Sequence, residues 1–269
     1  MSNKIHATAI IGPEVKLGKN IVIGPYAVID GEVSLGDGTE VGAHAVLAGW
    51  TRFGRDNRIF PHAAIGFDPQ DKKYKRGEKT LLEIGEKNVF REFCTIHRGT
   101  VEGLGITRIG DNNLFMAYSH VAHDCVVGNG CVLANSGTLA GHVTVEDHVI
   151  VGGLSAVHQF CRVGKNAMIG GCSRVVQDVP PYSLCVGGPA LVYNLNAIGL
   201  RRAGITADSM KHLKEAFRIM FHSGLAKQTA IEQIEREVRL TDHVKHLLDF
   251  AKGSERGLCG SVKEPSNGE

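Results

Sequence analysis

An apolar residue returns at every sixth position of this chain, and few folds accept that period. The first run starts at Ile5 and passes through Ile11, Leu17, Ile23, Ile29, Leu35, Val41, Leu47 and Phe53 to Ile59. The frame returns at Ile84 and Phe90. A second long run leads from Ile109 through Phe115, Val121, Val127, Leu133, Leu139, Val145, Val151, Val157, Val163 and Ile169 to Val175. Of the 22 hexads in the two long runs, 20 open with an aliphatic residue and two with Phe, a regularity that chance does not produce. A helix needs a period of 3.6 and a half-buried strand a period of two. One inward side chain in six suits short strands joined by sharp turns, each strand stacking on its equivalent in the next coil, which is a parallel β-helix. The residue after the aliphatic one is often Gly, as at Gly12, Gly18, Gly24, Gly36 and Gly42, where it is expected to supply the tight corner. The repeat accounts for 34 glycines among 269 residues and only 6% aromatics, a glycine share about twice the usual one.

The hexads resemble those of left-handed β-helix proteins, in which three hexads make one triangular coil of 18 residues. The left hand is what that resemblance implies. The expected fold is mainly β: a left-handed parallel β-helix over residues 1–190, a C-terminal α-helical domain over 191–256 and a disordered tail from Gly257 to Glu269. Two spacings break the frame. From Ile65 to Ile84 is 19 positions, so a charged loop of about 13 residues, within 66–83, leaves the coil. From Ile96 to Ile109 is 13, implying an excursion of about seven near 100–108. Beyond Pro180 the period changes. Met210, Leu213, Ala216, Phe217 and Met220 recur at three and four, so helix is expected over about Ser209 to Val238 with a break at Gly224, and a last helix over Asp242 to Lys252.

Other classes are bounded by composition. A hydrophobic content of 43% excludes disorder, and a formal charge of +2 gives no nucleic-acid footprint. Seven cysteines without an apolar leader after Met1 suggest a reduced, cytoplasmic protein with no disulfide framework. Cys94, Cys125, Cys131 and Cys161 fall at the small fifth position of their hexads and read as core residues. No apolar run reaches a membrane span. Dinucleotide and P-loop fingerprints, CxxC pairs and a nucleophile elbow are all missing.

Six of the thirteen histidines lie between His97 and His158. The hexads opening at Val121, Leu139 and Val157 are 18 apart, so one face should gather His123 and Asp124, Gly141 and His142, and His158 and Gln159. If the second excursion is a pure loop of seven, His97 joins them, with His120 at the preceding corner. Two chemistries compete for such a cluster. In the first, one imidazole is a general base towards a hydroxyl; in the second, three bind zinc with an open position for water, as gamma-class carbonic anhydrases do on the same fold. A non-catalytic scaffold is a third reading; it would be expected to display a repeated flat surface in place of a local cluster.

The segments Thr95-Ile-His97-Arg98-Gly99-Thr100, His120-Val-Ala-His123-Asp124-Cys125, Leu139-Ala-Gly141-His142-Val143, Ala156-Val-His158-Gln159-Phe160-Cys161 and Gln177-Asp178-Val179-Pro180-Pro181-Tyr182 closely resemble the acyl-[acyl carrier protein]:UDP-N-acetylglucosamine O-acyltransferases, which open lipid A biosynthesis. The related N-acyltransferases carry a domain ahead of their hexads, whereas here hexads start at residue 5. The resemblance implies a homotrimer with sites in clefts between β-helices, needing no metal or other cofactor. It implies His123 as general base, Asp124 as its support and the Gly141 N–H as oxyanion donor. Gln70, Asp71 and Lys73 would contact the sugar and the acyl hydroxyl region. His97, His120, His142, His158 and Gln159 would line the nucleotide-sugar and pantetheine cleft. Asn196 and Arg202 would bind the uridine diphosphate, although the family's acid stands here as Ile198 and a second basic position as Ala203, so that Arg201 is a substitute candidate. Gly171 matches the acyl-chain ruler and leaves room for a chain longer than ten carbons, with Met168 beside it. Lys72, Lys75, Arg76, Lys211 and Lys214 are candidates for docking the acidic carrier, with ordinary solvated charge as the competing reading.

Overall fold

The structure, a computed structural model, describes residues 2–261. Among these residues the hexads form three parallel sheets that enclose one apolar core. The chain visits them in strict rotation. The first sheet begins at Lys4–Ile5, the second at Ile10–Ile11 and the third at Lys16–Leu17. Pairing follows the 18-residue coil: Ile5 lies beside Ile23 and Ile23 beside Val41, while Val121, Leu139, Val157 and Val175 stack in the second sheet. Both excursions have the lengths the spacing predicts. Phe53 pairs with Ile84, 31 positions on, and Ile96 with Val121, 25 positions on. The first loop runs from residue 68 to 80. The second lies at 98–105, two residues ahead of its expected start because the strand before it ends at His97, and three short of its expected end because Ile106–Ile109 is a strand paired with Leu81–Ile84.

The aliphatic position of each hexad points inward, and Ile29, Leu47, Ile65, Ile96, Val121 and Leu139 are all fully buried. Phe90 and Phe115 stack in the same column at 5.0 Å. Cys94, Cys125, Cys131 and Cys161 are fully buried as well, and burial pushes the Cys131 and Cys161 thiols up to about 11. Thiols so protonated are packing groups.

The corners differ from expectation in one respect. The left-handed backbone falls on the fourth residue of the hexad, and that residue is seldom Gly: Tyr26, His44, His62, Asp124, His142 and Phe160 all have φ near +60°. The second-position glycines keep ordinary φ values. They are small because the next coil lies against them; a Cβ on Gly36 would sit 2.4 Å from the Gly54 carbonyl carbon, and one on Gly152 2.5 Å from the Gly171 nitrogen. Close stacking, and not turn geometry, selects glycine there.

The first sheet continues past the expected boundary at residue 190 through an antiparallel pair, Ser183–Gly187 with Ala190–Leu195. Four helices follow: α1 (Ala197–Arg202), α2 (Ala207–His222), α3 (Lys227–Glu237) and α4 (Asp242–Lys252). Thr206 and Thr241 cap α2 and α4 through their side-chain oxygens. The short α1 carries too few residues to show a period. The chain then returns to the β-helix. Leu258 bridges to Asp178 and Ser261 to Val192, and Cys259 is buried, so residues 257–261 pack where a disordered tail was expected. Residues 262–269 of that expected tail lie outside the described residues.

Candidate active site

The corner between the second and third sheets carries the predicted cluster. His123 and Gly141 occupy the third positions of stacked hexads, and Asp124, His142 and Phe160 the fourth. The left-handed φ of Asp124 (+58°) and His142 (+62°) turns both side chains into the corner. Non-glycine residues adopt that backbone rarely, with Asp and His among the more tolerant.

Asp124 is the most enclosed acid of the group, with no exposed side-chain surface. Its carboxylate accepts from the Thr100 N–H at 3.1 Å, the Thr100 hydroxyl at 2.6 Å and the Leu104 N–H at 2.8 Å, all in the second loop. A fourth hydrogen bond comes from His123 Nδ1 at 2.8 Å. Burial alone would raise this carboxyl, but the bonds from His123 and Thr100 outweigh it and hold it below the ordinary carboxylate range. A carboxylate beside Nδ1 fixes the tautomer with the proton on Nδ1, leaving the Nε2 lone pair free towards the cleft.

That lone pair lies over Gly141. A Cβ at residue 141 would stand 2.7 Å from His123 Nε2 and 2.6 Å from Cε1. The Gly141 N–H makes none of the described hydrogen bonds, and the repeat explains why. The third-position N–H of a coil points out of the strand ladder, and Pro13, Pro25, Pro61 and Pro181 occupy the same register. At several corners between the third and first sheets, that N–H is taken by an oxygen of the next coil. Lys19 donates to Asp37 Oδ1 at 2.8 Å, Glu86 to Asp111 Oδ1 at 2.7 Å and Asn129 to Asp147 Oδ1 at 2.9 Å. The position is therefore a donor suited to an anionic oxygen, and at Gly141 it stands beside a free imidazole nitrogen. We expect Gly141→Ala to displace the His123 ring and lower kcat about a hundredfold, with thermal stability retained. Activity within threefold of the parent would show that the ring tolerates the methyl group.

His142 stacks on Phe160 at 4.5 Å and meets His123 edge to face at 5.2 Å. Burial lowers its pKa against the pull of Asp124. His97 and His120 lie deeper, edge to face at 5.0 Å. Burial, with His120 and His123 close by, pushes His97 down to about 4, and burial lowers His120 too. The neighbours of His123 thus stay neutral at physiological pH.

A cleft of about 660 Å³ opens over His123. Gln70, Asp71, Lys73, His142 and Gln159, residues to which the family resemblance gives binding roles, line it. So do Lys72, Thr100, Glu102, Gly103 and Phe160; of these only Lys72 had been singled out, and then for carrier docking. Thr100 and Gly103 belong to a loop without period, and no sequence signal marked Thr100 or the neighbouring Leu104 as partners of Asp124. His97 and His120 are not among the lining residues, and the exposed His158 turns away, its Nδ1 3.1 Å from the Gln159 carbonyl oxygen. Met168, Asn196, Ile198 and Arg202 line a separate, largely apolar groove of about 600 Å³ beside the first sheet, and Arg201 and Gly171 are not part of its lining. Within one chain the two sets do not meet. Asn196 is partly committed within the chain. Its side chain accepts from Gly199 N at 3.1 Å as the cap of α1 and donates to the Asn166 carbonyl at 3.0 Å.

The zinc reading asked for three imidazoles at coil spacing. The geometry instead brings together His123, His142 and the Asp124 carboxylate, and the carboxylate oxygens are already occupied by four donors. That donor set suits a supported base better than a catalytic metal.

The chain resembles known proteins along nearly its whole length. The family model "Udp N-acetylglucosamine O-acyltransferase; Domain 2" matches residues 178–259, and "Bacterial transferase hexapeptide (six repeats)" matches 15–55 and 106–141. An acyl-[acyl-carrier-protein]–UDP-N-acetylglucosamine O-acyltransferase of Anaeromyxobacter dehalogenans is 51% identical over 94% of this chain and 98% of its own, and one of Thiobacillus denitrificans is 47% identical over the same shares. The chain belongs to this acyltransferase family. The solved structure of LpxA from Acinetobacter baumannii superposes with a TM-score of 0.92 at 44% identity, covering 95% of this chain and 99% of that one. A supported imidazole with an unpaired amide one coil away can serve acyl transfer to a hydroxyl. Among the described residues, no helix is long and apolar enough to cross a membrane.

Proposed function

We propose that this acyltransferase moves a (3R)-hydroxyacyl chain from acyl carrier protein to the 3-hydroxyl of UDP-N-acetylglucosamine, the opening step of lipid A biosynthesis. The observation that carries the mechanism is the pairing of the free His123 Nε2 with the unpartnered Gly141 N–H. His123 Nε2 removes the proton from the sugar hydroxyl as its oxygen attacks the thioester carbonyl. Asp124 steadies the imidazolium, and the Gly141 N–H donates a hydrogen bond to the developing oxyanion. Such a donor contributes about 3 kcal/mol. The intermediate then collapses, expels the carrier's thiolate and takes no covalent detour through the enzyme; the imidazolium returns its proton to the sulfur, so the protein ends as it began.

Gln70, Asp71 and Lys73 contact the sugar and the acyl hydroxyl region from the first loop, and His142 and Gln159 flank the pantetheine. The His123 corner and the groove of Asn196 and Arg202 lie at different corners of the same coil stack. A homotrimer, in which one copy's groove faces another copy's cleft, would unite them. Arg202 makes none of the described ion pairs, and its planar guanidinium suits a diphosphate. Arg201 stands next to it, while Ile198 and Ala203 leave fewer polar contacts to the nucleotide than the family pattern provides. Only the Gly153 carbonyl oxygen comes within 4 Å of where a Cβ on Gly171 would sit, so that position leaves space for a long acyl chain, with Met168 on the adjoining strand. The unpaired thiols fit work in a reducing cytoplasm.

The test is direct. With UDP-N-acetylglucosamine, a 3-hydroxyacyl carrier protein and EDTA, the protein is expected to form the 3-O-acyl nucleotide sugar, faster with a donor longer than ten carbons than with a ten-carbon one. Failure to form product without EDTA overturns the proposal. Activity lost to the chelator and restored by zinc would return the metal reading.

A further inference from the structure

We propose that Arg98 is a positioning residue that locks the first loop over the reacting groups, with Trp50 packed against the lock. The inference rests on the acyltransfer reading above for its kinetic part only. Arg98 lies at the root of the second loop, and its side chain is only 4% exposed. One guanidinium nitrogen donates to the Gly66 carbonyl oxygen. The other donates to the Asp68 carboxylate and, at 3.1 Å, to the Tyr74 hydroxyl. These partners are the strand end that leads into, and the start and middle of, the loop that carries Gln70, Asp71 and Lys73 over His123. The Tyr74 hydroxyl also reaches Asp68 at 3.1 Å and the Glu78 carbonyl at 3.3 Å, closing the loop upon itself.

The surrounding backbone is shaped to admit the guanidinium. A Cβ on Gly49 would lie 2.0 Å from Arg98 Nη1. At Gly66, where φ is +87°, the register between neighbouring strands shifts, and Phe67 comes to lie beside His97. The Arg98 N–H in turn donates to the Phe67 carbonyl at 3.1 Å. On the other side, the guanidinium lies over the Trp50 ring, 5.1 Å from its centroid. The far end of the loop closes on the same ring. Lys79 lies 5.7 Å from the Trp50 centroid and pairs with Glu32 at 2.9 Å, and Glu32 also accepts from Trp50 Nε1 at 2.8 Å. Both ends of the loop thus converge on one indole, the only tryptophan of the chain.

A rigid fork with several donors can hold three oxygens at once, which a lysine ammonium on a flexible stem cannot do with the same geometry. Arg98 couples the two loops as well. Its backbone begins the segment whose Thr100 and Leu104 hold Asp124, and its side chain holds the segment that faces substrate.

The test compares Arg98→Lys, Asp68→Asn and Tyr74→Phe with the parent, and reads Trp50 fluorescence with acrylamide quenching alongside KM and kcat. A loosened loop is expected to increase quenching in all three variants. It should raise KM about tenfold in Arg98→Lys and less in the other two, while the pH profile of kcat keeps its shape. A merely structural Arg98 would lower thermal stability and leave KM and quenching unchanged in the variants that fold, and that result overturns the proposal. Should Arg98→Lys fail to fold, Asp68→Asn and Tyr74→Phe decide alone: unchanged quenching and KM in both refute the lock. Were the parent inactive with every acyl donor, the function proposed above would fall, while the quenching comparison would still judge the lock.

Discussion

His123→Ala is expected to lower kcat for acyl transfer about a thousandfold, within the 10²–10⁴ range typical of a lost general base, while KM for UDP-N-acetylglucosamine changes little. The substitution removes Nε2, the nitrogen that receives the hydroxyl proton. It leaves the coil intact, because residue 123 stands at a third position whose side chain points away from the core. Asp124 keeps three of its four hydrogen bonds, all from Thr100 and Leu104, so the melting temperature should stay close to that of the parent. Initial rates under single-turnover conditions measure the effect free of product release. A variant that keeps a tenth of the parent's activity would show that another group takes the proton.

Asp124→Asn should cost still more, about 10³–10⁴ in kcat, by analogy with other His–carboxylate pairs in which the amide leaves the wrong ring nitrogen protonated. It should also differ from His123→Ala in stability. An amide presents donors on one side, so at least one of the Thr100 and Leu104 groups loses its acceptor, at about 1–3 kcal/mol for a buried donor left unpaired. The pH dependence follows from the same bonds. Burial opposes ionisation of Asp124, yet the bonds from His123 and Thr100 hold its folded pKa below the ordinary value of 3.8. A depressed acid contributes stability that is fully present above its unfolded pKa and disappears as pH falls through the folded one. Melting temperatures measured from neutral pH down through the carboxylate range should therefore fall less steeply for Asp124→Asn than for the parent. Parallel curves would show that Asp124 is not the acid concerned.

The coil register was legible because a six-residue period leaves no freedom: once Val121, Leu139 and Val157 share a face, His123, Asp124, Gly141 and His142 must share a corner. The direction in which a ring turns from that corner is a matter of local packing. His158 was therefore placed on the right coil and still points away, and His97 and His120 sit beneath the cleft and not along it. The corner glycines were legible as places where a side chain would be in the way, and crowding between coils is what selects them at the second position; the left-handed residue at the fourth can be Tyr, His, Asp or Phe and so carries no compositional mark. The two loops have no period at all. Asp124's partners in one and Arg98's partners in the other could be found only once the chain was folded. Asn196 and Arg202 were named by resemblance, and topology sends them to a different corner from His123.

The outward N–H at the third position of the hexad has a meaning beyond this one site. Wherever that residue is not proline, a solenoid of this kind presents an amide donor at its corner, and an oxyanion hole is one such donor left uncapped. What distinguishes residue 141 is small: no side chain of its own, and an imidazole contributed by the coil before it. The reacting pair is thus portable. Moving it one coil along the same edge would need a histidine at one third position, an acid after it and a glycine at the next third position, together with donors such as those of Thr100 and Leu104 to hold the acid, so the scaffold can in principle relocate its chemistry relative to the grooves that choose the substrate.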